Sequence, residues 1–207
     1  MNYLAHIFLS FEVPEIMLGN FIADQVSHKN LKLISPEIRM GIDLHRQIDH
    51  FTDRHSSFRA ATKRLRPDHK KYAPVVLDIL NDHLLAMNWN LYSNQTFDQF
   101  EVEVYKKFEP LVKHLPPKSK RHVDSLLTYQ YLKAYTSQEG MKDVLRRMDI
   151  RARFTSNFEN AIDDLYADYS FYNDHFRRLF QDLIDMIKDR IDNPENLIMT
   201  DRPMDRQ

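Results

Sequence analysis

The sequence predicts an all-α protein, a single-domain helical bundle with one long C-terminal helix. Two observations favour this fold class. The chain of 207 residues has only three glycines, at positions 19, 41 and 140, whereas a doubly wound sheet, a P-loop or a dinucleotide fingerprint needs several glycines in tight turns. Apolar residues also recur at helical spacing along most of the chain. Any chemistry must therefore come from side chains that project from helices.

Proline, cap and periodicity signals predict the helix boundaries. Pro14 opens the second helix, and Ser35-Pro36 supplies a cap and a first helical residue for the third. Pro67 is expected to break the basic stretch Arg59–Lys71. Pro74 lies in the first turn of a strongly apolar helix. The predicted helices span residues 2–11, 14–26, 36–60, 74–91, 96–114, 119–135 and 138–149.

The last predicted helix is the most regular. Apolar residues alternate steps of four and three from Phe158 to Met186, which is a heptad seam on one long helix. Its aromatic residues favour packing inside the domain, with a dimeric coiled coil as the alternative. The polar segment 193–207 contains two prolines and is predicted to fray, so the domain is expected to span residues 1–192.

Composition narrows the function classes. The chain carries 29 basic and 30 acidic residues and no Cys, which argues against a general nucleic-acid binder, disulfides and thiol nucleophiles. No basic, apolar leader and no run of about 18 apolar residues is visible. We therefore expect a cytoplasmic protein that does not contact membranes or nucleic acid. With Cys absent, metal ligands would be His and Asp.

Two predicted helices place acidic residues on their apolar faces. On a helical wheel of about 100° per residue, His45 and Asp49 lie inside the apolar arc of the third helix, and Asp53 lies just beyond its edge. Asp78 and Asp82 lie on the apolar face of the helix at 74–91, and His83 lies about 100° further round. A buried carboxylate is costly unless it is paired or bound to metal.

Oxygen and imidazole ligands on facing helices suit Mn²⁺, Fe²⁺, Mg²⁺ or Zn²⁺. The alternative is structural: a single inward Asp or His is commonly a hydrogen-bonded core residue, and Asp49 could pair with Arg46 or Arg54. Repetition of the pattern on two helices favours a metal or phosphate site. By spacing alone, His6 and Asp24 are half-buried polar residues.

The chain resembles the acyl carrier protein phosphodiesterase family, also called acyl carrier protein hydrolase, across nearly its whole length apart from the tail. The matching motifs occur in order along the chain. The family is a divergent branch of the HD-domain phosphohydrolases. One departure from those enzymes is that Asp82-His83 reverses their usual His-Asp doublet. The motifs are Asn2–His6, Gly19–Asp24, Gly41–Asp49 with Phe51–Asp53, Ala73–Asp78, and Asp82–Leu84 with Asn88-Trp89.

The resemblance implies an HD-domain-like helical fold and a metal-dependent phosphodiesterase that removes 4′-phosphopantetheine from a serine of holo-acyl carrier protein, and hence a link to fatty acid biosynthesis. It implies a divalent cation, chiefly Mn²⁺, with Mg²⁺ or Fe²⁺ as alternatives. It also raises His6 and Asp24 to site candidates and supports His45, Asp49, Asp53, Asp78, Asp82 and His83.

The resulting hypothesis assigns roles. A subset of five residues, Asp24, His45, Asp49, Asp78 and Asp82, holds the ion, which activates a water and polarises a phosphoryl oxygen. Arg46 would contact the phosphate with its planar guanidinium, and His6 or His83 would pass a proton to the leaving serine oxygen.

An acidic carrier protein calls for a basic docking surface. Lys118, Lys120 and Arg121 form a small cluster, and a solvated charged face is the alternative explanation for either group. The larger basic patch lies between the two acid-bearing helices and comprises Arg59, Lys63, Arg64, Arg66, Lys70 and Lys71.

Two other functions stay open. One is a metal-dependent phosphohydrolase of a nucleotide or another small phosphoester. The other is a non-catalytic helical module that binds a carrier protein or another partner. The oligomeric state does not follow from the sequence.

Overall fold

The computed structural model describes residues 1–10, 12–151 and 157–192, and within these ranges all regular secondary structure is helical. The predicted all-α class is confirmed, and the predicted tail at 193–207 lies outside the described residues. One contiguous apolar core takes side chains from the first helix to the last. None of the described helices is both long and apolar enough to cross a membrane.

The α-helices run in chain order, and short 3₁₀ segments join several of them, at Ala23–Gln25, His28–Leu33, Lys70–Tyr72, Glu109–His114, Tyr131–Thr136 and Phe158–Asn160. The helices are α1 (Tyr3–Phe8), α2 (Pro14–Ile22), α3 (Pro36–Arg54), α4 (Ser56–His69), α5 (Ala73–Met87), α6 (Trp89–Tyr92), α7 (Phe97–Phe108), α8 (Pro117–Tyr129), α9 (Gln138–Arg151), α10 (Ala161–Ala167) and α11 (Tyr169–Asp192).

The predicted helix at 36–60 is two helices, because the chain turns at His55. The backbone of His55 is extended, and its Nδ1 accepts a hydrogen bond from the Ser57 amide at 3.2 Å, which caps α4. The predicted break at Pro67 is wrong, since α4 continues through it to His69. Pro67 cannot donate to the carbonyl of Lys63, but both residues are exposed, so water can satisfy that carbonyl.

The predicted long helix from Phe158 to Met186 is interrupted at Asp168, which separates α10 from α11. The Asp168 backbone leaves helical geometry (φ −139°, ψ 46°), and its carboxylate lies 2.8 Å from Arg64 of α4. The seam itself packs inside the chain, and α11 is the predicted long C-terminal helix. The buried residues of the seam are Phe158, Ile162, Leu165, Tyr172, Phe176, Leu179 and Leu183.

A close crossing of α2 and α3 is the feature of the fold that matters most for the site. A Cβ on Gly19 would lie 2.0 Å from the Ile38 carbonyl oxygen, and one on Gly41 would lie 2.2 Å from the Ile16 carbonyl oxygen. Both contacts are far below van der Waals distance, so the crossing requires glycine at both positions. The crossing brings Asn20 of α2 against His45, one turn after Gly41 on α3.

Candidate metal centre

Three helical elements bring imidazoles and carboxylates together beside the C-terminal half of α3. His6 projects from α1, while His45 and Asp49 lie four residues apart on the same face of α3. Asp24 lies on the 3₁₀ segment that follows α2. His45 faces the interior as the helical wheel predicts, whereas Asp49 is half-exposed at the edge of the same face. The structure adds His6 and Asp24 to these two residues.

Ligand atoms of His6, His45 and Asp49 are close enough together to hold one ion, and Asp24 lies beside His45. His6 Nε2 lies 3.2 Å from Asp49 Oδ1, and His45 Nε2 lies 3.1 Å from Asp49 Oδ2 and 3.6 Å from Asp24 Oδ1. The two imidazole rings stack with their centroids 3.9 Å apart. One ligand atom each from His6, His45 and Asp49 lies within 4.8 Å of the others. The two oxygens of Asp49 therefore each contact one imidazole Nε2, and Asp24 contacts His45 Nε2 as well.

Burial divides the cluster into an inner and an outer half. His6 and His45 are 1% and 8% exposed, whereas the side chains of Asp49 and Asp24 are 41% and 74% exposed. The imidazoles are thus fixed inside the protein, and the carboxylates face solvent. A substrate can approach from the carboxylate side without any opening of the helices.

The site electrostatics follow from this arrangement. Burial lowers the pKa of His6 to about 4, so its ring is neutral at pH 7. Burial acts in the same direction on His45, but Asp24 and Asp49 outweigh it and raise the pKa of His45 to about 9. Burial likewise opposes ionisation of Asp49, yet the two imidazoles hold the pKa of that carboxyl well below its usual range. Asp49 is therefore ionised wherever the protein is folded near neutrality.

The buried ring nitrogens test whether the cluster fits a cation. Nδ1 and Nε2 of His6 and Nε2 of His45 are buried and form no hydrogen bond, although both Nε2 atoms lie close to Asp49. Buried imidazole nitrogens normally have a partner. Two imidazoles and two carboxylates are a donor set that suits Mn²⁺, Fe²⁺ or Zn²⁺, so the residues present fit a divalent metal.

Asp78 lies at the same edge. The amino group of Met1 lies 2.8 Å from Asp78 Oδ1 and 3.5 Å from Asp49 Oδ1, so the two carboxylates are within about 6 Å of each other. The Asp78 side chain is half-buried, and burial raises its pKa. The structure therefore brings Asp78 next to the cluster without placing it against His6 or His45.

Asp82, which the sequence analysis assigns to the metal, contacts backbone amides. Its Oδ2 accepts from the Leu4 amide at 2.8 Å and its Oδ1 from the Ala5 amide at 3.1 Å. These are first-turn amides of α1 with no intrahelical partner, so Asp82 caps α1 from a neighbouring helix. Burial raises the pKa of Asp82 to about 7, although the two amides favour its ionised form.

The remaining predicted residues lie outside the cluster. His83 Nδ1 bonds the Tyr135 carbonyl at 2.7 Å and Nε2 bonds the Tyr166 hydroxyl at 2.9 Å, so both ring nitrogens are engaged. Arg46 is exposed and pairs with Asp43 at 2.8 Å. Asp53 is exposed, one turn beyond Asp49.

Asn20 is fully buried between the site helices and is not among the residues predicted from the sequence. Its carbonyl lies 2.9 Å from His45 Nδ1, and its side-chain amide bonds the His6 carbonyl at 2.7 Å. The signal that could have identified it is the one applied to Asp49: an amide-bearing residue inside the apolar helix Pro14–Ile22.

Fold and cluster together define an all-α protein with a histidine–aspartate centre open at one edge. The chain belongs to the acyl carrier protein phosphodiesterase family, whose model matches residues 1–183. Several relatives bear that name, and three of them illustrate the similarity. The Yersinia pestis protein is 32% identical over 72% of this chain and 77% of its own length.

The relative from Photorhabdus laumondii is 30% identical over 82% of this chain and 87% of its own length. The relative from Serratia proteamaculans is 26% identical over 92% of this chain and 99% of its own length. No solved structure matches the chain.

Proposed function

We propose that this protein is a metal-dependent phosphodiesterase that hydrolyses the bond between 4′-phosphopantetheine and the serine of holo-acyl carrier protein. The products are apo-acyl carrier protein and 4′-phosphopantetheine. The observation that carries the proposal is the pair of buried imidazoles with unbonded nitrogens beside an ionised, half-exposed Asp49. The family name supplies the substrate, and the cytoplasm is where we expect the enzyme to meet it.

We assign the metal to His6, His45, Asp49 and Asp24, with Mn²⁺ favoured over Mg²⁺ or Fe²⁺. Such an ion lowers the pKa of a water and polarises a phosphoryl oxygen when it is bound. This assignment moves His6 from proton transfer to ligation, because its Nε2 lies 3.2 Å from Asp49 and one of its ring nitrogens lies within 4.8 Å of one on His45. It gives Asp82 a structural task, because both of its oxygens already accept amide hydrogens.

One of the chain's own carboxyl groups would supply the proton that the leaving oxygen needs. Water oxygen bonds to phosphorus while the bond from phosphorus to the serine oxygen breaks, and that oxygen needs a proton. We assign the transfer to Asp78, because burial raises its pKa and its carboxyl lies within about 6 Å of the Asp49 carboxylate. Hydrogen bonds engage both ring nitrogens of His83, whereas the Met1 amino group contacts one oxygen of Asp78 at 2.8 Å, which favours Asp78 over His83. Arg46 would have to leave Asp43 to reach a phosphate.

The carrier protein would dock on the basic patch, whose six residues are all exposed. Within the patch, Arg64 pairs with Asp168. Lys71 precedes Asp78 by seven residues, which is about 10 Å of helical rise. Because the scissile phosphodiester is on the surface of a carrier protein, a patch this close can contact the protein while the phosphate is at the cluster. In the smaller basic group formed by Lys118, Lys120 and Arg121, Lys120 pairs with Asp124.

One assay separates the three functions. Purified, metal-free protein is supplied with Mn²⁺ and incubated with holo-acyl carrier protein and, separately, with a panel of nucleotide and other small phosphodiesters. Mass spectrometry is expected to show loss of the prosthetic arm from the carrier protein. Turnover confined to the small phosphodiesters would indicate the alternative hydrolase. Binding of carrier protein with no bound Mn²⁺ and no turnover would indicate a non-catalytic module.

A further inference from the structure

We propose that Asn20 is a positioning residue that sets the separation and orientation of His6 and His45. The inference rests on the proposed metal centre and extends it to a residue that contacts no ion. Asn20 is fully buried on α2, between the helices that carry the two imidazoles. Its backbone carbonyl contacts the ring of His45, and its side chain contacts the backbone carbonyl of His6.

The backbone of Asn20 fixes His45. Its carbonyl oxygen lies 2.9 Å from His45 Nδ1 and can only accept, so Nδ1 keeps its proton and Nε2 is the nitrogen available to a metal. Such a bond selects the tautomer and the ring orientation of a histidine ligand. The Gly19–Gly41 crossing holds this carbonyl close to α3.

The side chain of Asn20 fixes His6. Its Nδ2 donates to the His6 carbonyl at 2.7 Å and to Ser10 Oγ at 2.8 Å, and the Ser10 hydroxyl donates to the same carbonyl at 2.6 Å. Because α1 ends at Phe8, this carbonyl has no partner in its own helix. Asn20 therefore caps the C-terminal end of α1 at His6, the proposed metal ligand.

Asn88 offers a matched control. Its Nδ2 also donates two hydrogen bonds, to the Leu84 carbonyl and to Asn173 Oδ1, both at 2.7 Å. It joins the end of α5 to α11 and contacts none of the cluster residues. Asn88→Ala therefore removes the same number and kind of hydrogen bonds as Asn20→Ala, without touching a proposed ligand.

The test measures Mn²⁺ binding to the metal-free, full-length protein by the electron paramagnetic resonance signal of free Mn²⁺, together with urea unfolding. Loss of an outer contact to a ligand typically weakens metal binding about 10- to 100-fold. We expect that loss for Asn20→Ala and a change below about twofold for Asn88→Ala, although both lower the urea midpoint. Asn20→Ala with wild-type Mn²⁺ affinity overturns the inference.

Asn20→Ser carries the test if Asn20→Ala does not fold, because it keeps a small polar side chain at this buried position and lacks the Nδ2 that donates to the His6 carbonyl. A severalfold weaker Mn²⁺ affinity supports the inference, and an unchanged affinity overturns it. A wild-type protein that binds no Mn²⁺ overturns the metal centre itself and this inference with it. The two failures are therefore distinguishable.

Discussion

Gly41→Ala tests how the helix crossing controls the site. The new Cβ would lie 2.2 Å from the Ile16 carbonyl oxygen and 2.8 Å from the Asn20 amide nitrogen. A shift of α2 by about 0.8 Å is needed to restore a 3.0 Å separation. The same shift stretches the 2.9 Å bond between His45 Nδ1 and the Asn20 carbonyl beyond hydrogen-bonding range.

The expected loss of stability follows from opposing contributions. Overpacking costs about 1–3 kcal/mol and the lost hydrogen bond about 1 kcal/mol, while the higher helix propensity of alanine returns about 1 kcal/mol. The net loss of about 2 kcal/mol lowers the urea midpoint by about 1 M for a protein of this size. Because His45 loses its orienting bond, Mn²⁺ affinity is expected to fall with it.

Gly140→Ala is the control, since its Cβ would lie 2.4 Å from the Ala134 carbonyl oxygen, at a contact of α9 with the preceding 3₁₀ segment. It is expected to lower the urea midpoint comparably and to leave Mn²⁺ binding unchanged. If Gly41→Ala matched the wild type in both measurements, the crossing would not position His45. If Gly140→Ala weakened Mn²⁺ binding equally, the effect would be one of general stability.

Three further predictions concern the cap, pH and docking. Asp82→Ala removes two charge-assisted hydrogen bonds to α1 and is expected to cost about 3 kcal/mol in urea unfolding; an unchanged midpoint would contradict the cap. In EDTA, the raised pKa of His45 stabilises the folded protein fully below pH 6.5, and this stabilisation is lost as pH rises to about 9. Asp49→Asn should flatten that part of the stability profile, and an unaltered profile would exclude the pairing. Replacing Lys63 and Arg66 by alanine should lower kcat/KM for holo-acyl carrier protein and its salt dependence, while a small phosphodiester is hydrolysed as before; equal salt slopes would argue against docking there.

The sequence predicts the fold class from the scarcity of glycine. It predicts much of the interior from helical periodicity, because periodicity is a local signal. It does not predict the break at Asp168, because the apolar seam runs through that residue and the break coincides with a contact to Arg64, far away in the chain. It also misplaces the end of α3, because histidine is an unusual cap and His55 caps α4 with a ring nitrogen.

The wheel argument detects inward polar residues but not their partners. The helical wheel predicts an inward-facing side chain for both Asp49 and Asp82. In the structure Asp49 contacts two imidazoles, whereas Asp82 contacts the amides of α1. Only the tertiary arrangement distinguishes the two. His6 illustrates the converse, because its short helix gives no periodicity from which burial could be predicted.

Hydrolysis of holo-acyl carrier protein in ¹⁸O-labelled water tests the central claim most directly. With Mn²⁺ supplied, mass spectrometry is predicted to find the label in the phosphate of the released 4′-phosphopantetheine and none in the apo-carrier protein. His45→Ala should give no product because the buried nitrogen ligand is lost. The control Asn88→Ala should give product as the wild type does. Label in the carrier-protein serine, or full turnover by His45→Ala, would contradict hydrolysis at this histidine–aspartate centre.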